Sequence, residues 1–264
     1  MGGKTLSGEI LTERVGNIAT VILSAPDRLN AMNLAMWQGI ADAFSALDAD
    51  DDLRCIVLRG AGEKAFAAGA DIAEFAAERF DRDSARKYGE VMAAALSAVQ
   101  NCRHPVVAMI HGVCVGGGLE LACCCDMRIC GAASRFGVPV KNLGLVVALN
   151  EMQAVAGVVG RATALEIVLE GRIFDADEAL QKGLLNRVVP DDQVTAEAEA
   201  AARRIAQGAP LVARWHKTFA RRLAEPRALT VDEIEESYAC FATEDFQTGY
   251  KAFLDKTKPE FKGR

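Results

Sequence analysis

The segment from Ala19 to Gly60 constrains the fold most. "ATVILS" (19–24) has the character of a strand, and "RCIVLRG" (54–60) reads as a second, short and buried one. Between them, "NLAMWQGIADAFSALDAD" carries Leu34, Trp37, Ile40, Phe44 and Leu47 at helical spacing. A strand, a helix and a strand in succession imply a parallel crossover, because a tight turn cannot join parallel strands. The pattern then repeats. A helix runs through "SARKYGEVMAAALSAVQNC", a strand through "PVVAMIHG", a helix from the glycines of "VGGGLEL", and a strand through "DMRICG". After about Arg161 the chain turns helical, with breaks at Gly171, Gly183, Pro190, Pro210 and Pro226. Thr230 followed by Glu233 predicts an N-capping box there. The expectation is an α/β core over residues 1–195 and a helical region over 196–264, with no fixed-period repeat.

Composition narrows the function. The chain has 264 residues, 51% hydrophobic, enough for a substantial core. A formal net charge of -6 argues against a nucleic-acid binder, and pairs such as Arg203-Arg204 and Arg221-Arg222 read as solvated helix faces. The 8 cysteines form no paired CxxC set, so zinc is not expected. Most lie in apolar runs, where a free thiol packs as a small hydrophobe, and the reading is a reducing, cytoplasmic compartment. "MGGKTLSGEI" carries neither a cleavable signal nor a myristoylation pattern, since position 6 is Leu6. No apolar run is read as a membrane span.

Two glycine-rich turns hold the chemistry. "KAFAAGADI" (64–72) and "HGVCVGGGLE" (111–120) each follow a strand, and small residues there let the backbone approach another group closely. The second also opens a helix, whose free N–H groups favour negative charge. Neither turn satisfies GxxxxGK[ST] or GxGxxG. Tight strand-helix packing without a ligand is the competing reading of either turn alone.

"KAFAAGADI", "HGVCVGGGLELACCCDMRI", "GRIFDADEALQKGLLNRVV" and "FATEDFQTGYKAFLDKTKPEF" follow one another in an order and spacing that resembles the enoyl-CoA hydratase/isomerase (crotonase) superfamily, over residues 8 to 264. The resemblance implies an α/β fold, a crotonase-like right-handed spiral of ββα turns. It further implies C-terminal helices that build a homotrimer, or a hexamer made of two trimers. The substrate would be an acyl-CoA thioester, with coenzyme A as part of the substrate and no other cofactor. By the motif, the N–H groups of Ala70 and Gly117 would hold the thioester carbonyl oxygen. Arg28, Leu29 and Ala31, in "DRLNAM", match the segment that lines the pantetheine and adenine, and Ala68 lies on the turn near the adenine. Asp71 and Ile72 follow on the same turn, and Lys256 matches a lysine that reaches a CoA phosphate in relatives. Asp71 also fits a helix N-cap or first-turn acid.

Two-glutamate hydratases of this superfamily hold a water between two acids. The first matches Glu120, whose competing reading is a structural acid at the helix start. The second belongs in "FGxPE", but this chain reads "FGVPV", which puts Val140 there. Valine can neither hold nor protonate a water, so three readings stay open: Glu120 acts alone, the chain runs isomerisation or another enolate reaction, or a different acid substitutes. Glu151 is the nearest such acid and is read as a helix-surface carboxylate. A non-catalytic acyl-CoA-binding member of the superfamily is a further reading.

The remaining candidates are weaker. His111 lies near the pocket by the motif but is read as a satisfied core histidine, Asp126 and the cysteine run are read as structural, and His104 and His216 are assigned no role. Tyr238 is a candidate to approach a neighbouring subunit's pocket. Residues 73–88 and the loop after Val140, with Phe75, Phe80 and Val146, are expected to line the acyl pocket.

Overall fold

A computed structural model describes residues 8–264. The N-terminal residues 1–7, on which the reading of no signal and no myristoylation rests, lie outside the described residues.

Among the described residues ten strands, numbered along the chain, form two sheets. The larger holds β1 (Glu9–Val15), β2 (Ile18–Ser24), β3 (Cys55–Gly60), β5 (Val106–Ile110), β7 (Met127–Gly131) and β10 (Arg187–Val189), hydrogen-bonded in that order. The hairpin of β1 with β2 is antiparallel, and every later pair in this sheet is parallel. The smaller sheet holds β4 (Ala65–Ala67), β6 (Val113–Val115), β8 (Arg135–Gly137) and β9 (Phe174–Asp175).

The helices follow the same numbering. They are α1 (Leu34–Asp48), α2 (Phe75–Glu78), α3 (Arg82–Asn101), α4 (Gly117–Cys123), α5 (Leu149–Glu170) and α6 (Ala176–Gln181). α7 (Val194–Ala206), α8 (Pro210–Leu223), α9 (Val231–Glu236) and α10 (Glu244–Asp255) complete the chain. Three times the chain crosses the larger sheet, then the smaller sheet, then turns helical: β3-β4-α2-α3, β5-β6-α4 and β7-β8-α5. Of the larger-sheet strands, β2, β3, β5 and β7 lie where the sequence periodicity predicts, as do most helices. The sequence reading does not predict β1 as a strand, and β4, β6, β8 and β10 do not announce themselves, because three residues are too few to display a period of two.

The parallel strands are buried on both faces, as Cys55–Leu58 and Val106–Ile110 show, which explains their continuous apolar runs. On one face Trp37, Phe44, Phe66, Tyr88 and Leu119 belong to the main core. On the other, Val194, Ala198, Ala201 and Ala202 of α7 pack on Cys55, Val57, Val107 and Ile129. The predicted capping box is present: Thr230 Oγ1 accepts from Glu233 N at 3.2 Å, and Thr230 N donates to Glu233 Oε2 at 2.9 Å. Lys217 ties α8 to the core, its Nζ donating to Asp126 Oδ2 at 2.7 Å and to the His104 carbonyl at 3.0 Å. Asp126 also accepts from Val106 N at 2.7 Å, so its role is structural, as read.

By length and composition alone α5 is apolar enough to cross a membrane, contrary to the sequence reading of no such run. It is broken at Gly160 (φ 77°), and Glu151, Ala154, Val155, Ala164 and Ile167 are its buried residues.

Candidate active site

The two glycine turns meet. Met32 N donates to Gly69 O at 2.8 Å and Asp71 N to Met32 O at 2.9 Å, an arrangement that leaves the Ala70 N–H between them unused. Gly69 holds φ +96°, and a Cβ placed there would lie 3.2 Å from Val115 O and 3.4 Å from Gly117 N. Gly117 is the first residue of α4, where an N–H has no partner inside the helix. Among the described residues neither the Ala70 nor the Gly117 N–H has an acceptor. Gly118 serves packing: a Cβ there would sit 2.4 Å from Ala67 O, so glycine lets α4 press onto β4. A side chain at Gly117 would press into the core, its Cβ 3.1 Å from Trp37.

These turns open into a cavity of about 190 Å³. Ala68, Ala70, Ile72, Gly117, Glu120 and Val140 all line it, as the sequence reading groups them. So do Phe75 and Val146, whereas Phe80 is 84% exposed and faces away, a correction to its expected place. Arg28, Leu29 and Ala31 lie alongside: Ala68 N donates to Leu29 O at 2.9 Å, and Arg28 forms an ion pair with Asp71. Asp71 caps the following turn, its Oδ1 accepting from Ala73 N at 3.1 Å. Lys256 ends α10 with φ 54°, exposed to solvent and outside the cavity of its own chain. Tyr238 is likewise exposed and outside it.

Asn30 is a residue that the sequence reading missed. It is buried with φ 54°, its Nδ2 donates to Ala61 O and Ala65 O at 3.0 and 2.8 Å, and its Oδ1 accepts from Ala25 N at 3.0 Å. This one amide clamps "DRLNAM" against the strand that leads to Ala70. Its signal was an asparagine inside a loop, one of the few non-glycine residue types that tolerate the left-handed region.

Glu120 is 2% exposed, and among the described residues its carboxyl makes no hydrogen bond or ion pair. Burial, reinforced by the charge of Glu151 and opposed by Arg79, pushes its pKa up to about 8. Glu151 is the principal surprise. It is 8% exposed and lines the same cavity, so reading it as a helix-surface carboxylate was wrong. The helix phase of α5 decides this: residue 151 sits in its first turn on the inward side. Burial also raises the pKa of Glu151, while the Ala148 N–H and Arg79 work against the rise. Arg79 lines the cavity with its guanidinium 4.7 Å from the ring centres of both Phe75 and Tyr88.

His111 belongs elsewhere. It lines a separate cavity with Thr195, Arg59 and Glu63, its ring nitrogen 3.3 Å from Thr195 Oγ1. His111 follows β5 directly and precedes β6, ahead of the glycines that open α4 and carry Glu120. His104 is fully buried, and burial, followed by the charges of Arg214 and Arg103, lowers its pKa to about 4. Seven of the 8 cysteines are buried, and burial raises the Cys123 and Cys125 thiols to about 12, which fits core packing and not reactivity. Among the described residues no group of His, Cys, Asp or Glu is placed to hold a metal ion.

Comparison with known proteins agrees with this geometry. The enoyl-CoA hydratase/isomerase family profile matches residues 13–264. A Mycobacterium tuberculosis protein named "Probable enoyl-CoA hydratase echA8" is 37% identical over 262 residues, 97% of this chain and 98% of its own. A crotonyl-CoA hydratase of Syntrophomonas wolfei is 32% identical over 255 residues, 96% of this chain and 97% of its own. The crystal structure of an enoyl-CoA hydratase/carnithine racemase from Magnetospirillum magneticum superposes with a TM-score of 0.95 at 49% identity, covering 98% of each chain. The mixed α/β fold with its parallel sheets is therefore the crotonase fold, and the chain belongs to the enoyl-CoA hydratase/isomerase family.

Proposed function

We propose that this protein is a hydratase-type enzyme that adds water to an enoyl-CoA thioester, with Glu120 as the acid/base. The observation that carries the reading is a buried, protonatable carboxyl facing the same cavity as two free backbone N–H groups. The thioester carbonyl oxygen would accept from Ala70 N–H and Gly117 N–H. As the α carbon reacts, negative charge moves onto that oxygen, and donors already in place bind the enolate better than the ground state. A carboxyl held protonated near neutrality by burial can deliver its proton to the α carbon. Relatives named as hydratases at above 30% identity over nearly the whole chain support the reaction class. The mostly apolar walls and the cavity volume, about 190 Å³, favour a short acyl group.

The CoA portion would run past Ala68, Leu29 and Ala31, with the Arg28–Asp71 pair beside it. Lys256, outside its own chain's cavity, would reach a CoA phosphate as its place in the family motif implies. Self-association into a trimer or hexamer is supported by the apolar surface of the C-terminal helices, where Val231 is 74% exposed, Phe253 83% and Leu254 60%. The test is Glu120→Gln assayed with crotonyl-CoA. Hydration should fall by about 10²–10⁴-fold with affinity for a saturated acyl-CoA little changed. Unaltered turnover would remove Glu120 from the mechanism. α-Hydrogen exchange with double-bond migration and no water addition would favour an isomerase.

A further inference from the structure

We infer that Glu151 is the second carboxylate of this site and binds and deprotonates the attacking water, replacing in space the acid that Val140 has lost. The inference rests on the hydratase reading above. Four observations carry it. Glu151 and Glu120 line one cavity, and Val140 lines it too. Glu151 comes from the first turn of α5, a helix packed against α4, which bears Glu120. Its carboxyl is fixed, because Oε2 accepts from Ala148 N at 2.8 Å, and among the described residues Oε1 has no donor and stays free for a water. Among the described residues Arg79, on the cavity wall, is the one cation lining it, so the charged groups there are two carboxyls and one guanidinium.

Two carboxyls in one apolar cavity do not ionise independently, and one proton shared between them is the stable arrangement. Burial together with the other's charge keeps the proton on Glu120. Glu151, which gains a backbone N–H donor and the influence of Arg79, is the one left ionised. That asymmetry assigns the roles. The Glu151 carboxylate takes a proton from water as the water oxygen bonds the β carbon. The C=C π electrons move toward the thioester, and the α carbon then takes the Glu120 proton. Water's two halves are thus added, Glu120 ends ionised and Glu151 protonated, and one proton passing back restores the resting state.

Glu151→Gln is the decisive variant, because a glutamine oxygen can still accept from Ala148 N and preserve the start of α5. Two reactions are compared: hydration of crotonyl-CoA, and exchange of α hydrogens of butyryl-CoA in D₂O. Exchange needs the oxyanion donors and Glu120 but no attacking water. The expected result is a loss of hydration by about 10²–10⁴-fold in kcat with butyryl-CoA exchange persisting. Introducing Val140→Glu into that variant should recover part of the hydration. Retained hydration in Glu151→Gln, beside a dead Glu120→Gln, overturns the role of Glu151 and leaves the hydratase reading intact. Equal loss of hydration and exchange in Glu151→Gln also overturns it, since the residue would then act through Glu120 alone. Failure of Glu120→Gln to affect either reaction overturns the underlying reading instead.

Discussion

At the scale of the residue, Glu120 trades stability for chemistry. An unfolded glutamate ionises near pH 4.5, whereas the folded one holds its proton to about pH 8. Between those values the folded state binds the extra proton, so its stability falls as pH rises from about 4.5 to about 8, and no further loss comes above that. Glu120→Gln should therefore raise the melting temperature at pH 8 and change it least near pH 4. A melting curve series that shifts equally at both ends would show that Glu120 is not held protonated. The motif marked Glu120, but nothing in the sequence marked its environment. Its elevated pKa comes first from burial and then from the charge of Glu151, a neighbour that lies 31 positions away along the chain.

Elements set the precision of the donors. Gly118 lets α4 approach β4, and Gly117 N–H takes its place from that contact. Gly118→Ala must push a methyl to within 2.4 Å of Ala67 O or move the helix. We expect a cost of about 1–3 kcal/mol in chemical unfolding and a lowered kcat from the displaced Gly117 donor. Full activity with unchanged stability would mean that the α4–β4 contact is slack. The glycine run was legible as a close approach, because only small residues allow one. Which backbone it approaches was not, since β4 is three residues long and carries no period of its own. The loop from Val140 to Ala148 was similarly opaque. Its departure from the family pattern was visible, yet the start of α5, and with it the direction of Glu151, depends on how the loop packs.

At the scale of the molecule, the C-terminal helices leave apolar side chains uncovered on a single chain. Leu223 is 70% exposed and Phe253 83%, alongside Val231 and Leu254. Such a surface is rare on a monomer, and covering it is worth about 25 cal/mol per Å². Sedimentation of the wild type should give three or six chains, and Phe253→Ser with Leu254→Ser should shift it toward the monomer. A monomeric wild type at micromolar concentration would sink the self-association proposal. If Lys256 serves a neighbouring subunit's CoA, the same double variant should also raise KM.

What the sequence by itself determined is local and periodic. The crossovers followed from apolar spacing, the Thr230 cap from two residues three apart, and the pair of glycine turns from motif order. The tertiary structure alone decided which side chains share a cavity. It turned His111 toward Thr195, turned Phe80 to solvent and brought Glu151 inward. The physical reason is that a side chain's neighbours depend on helix phase and loop path, which are fixed by long-range packing and leave no signature in the adjacent residues.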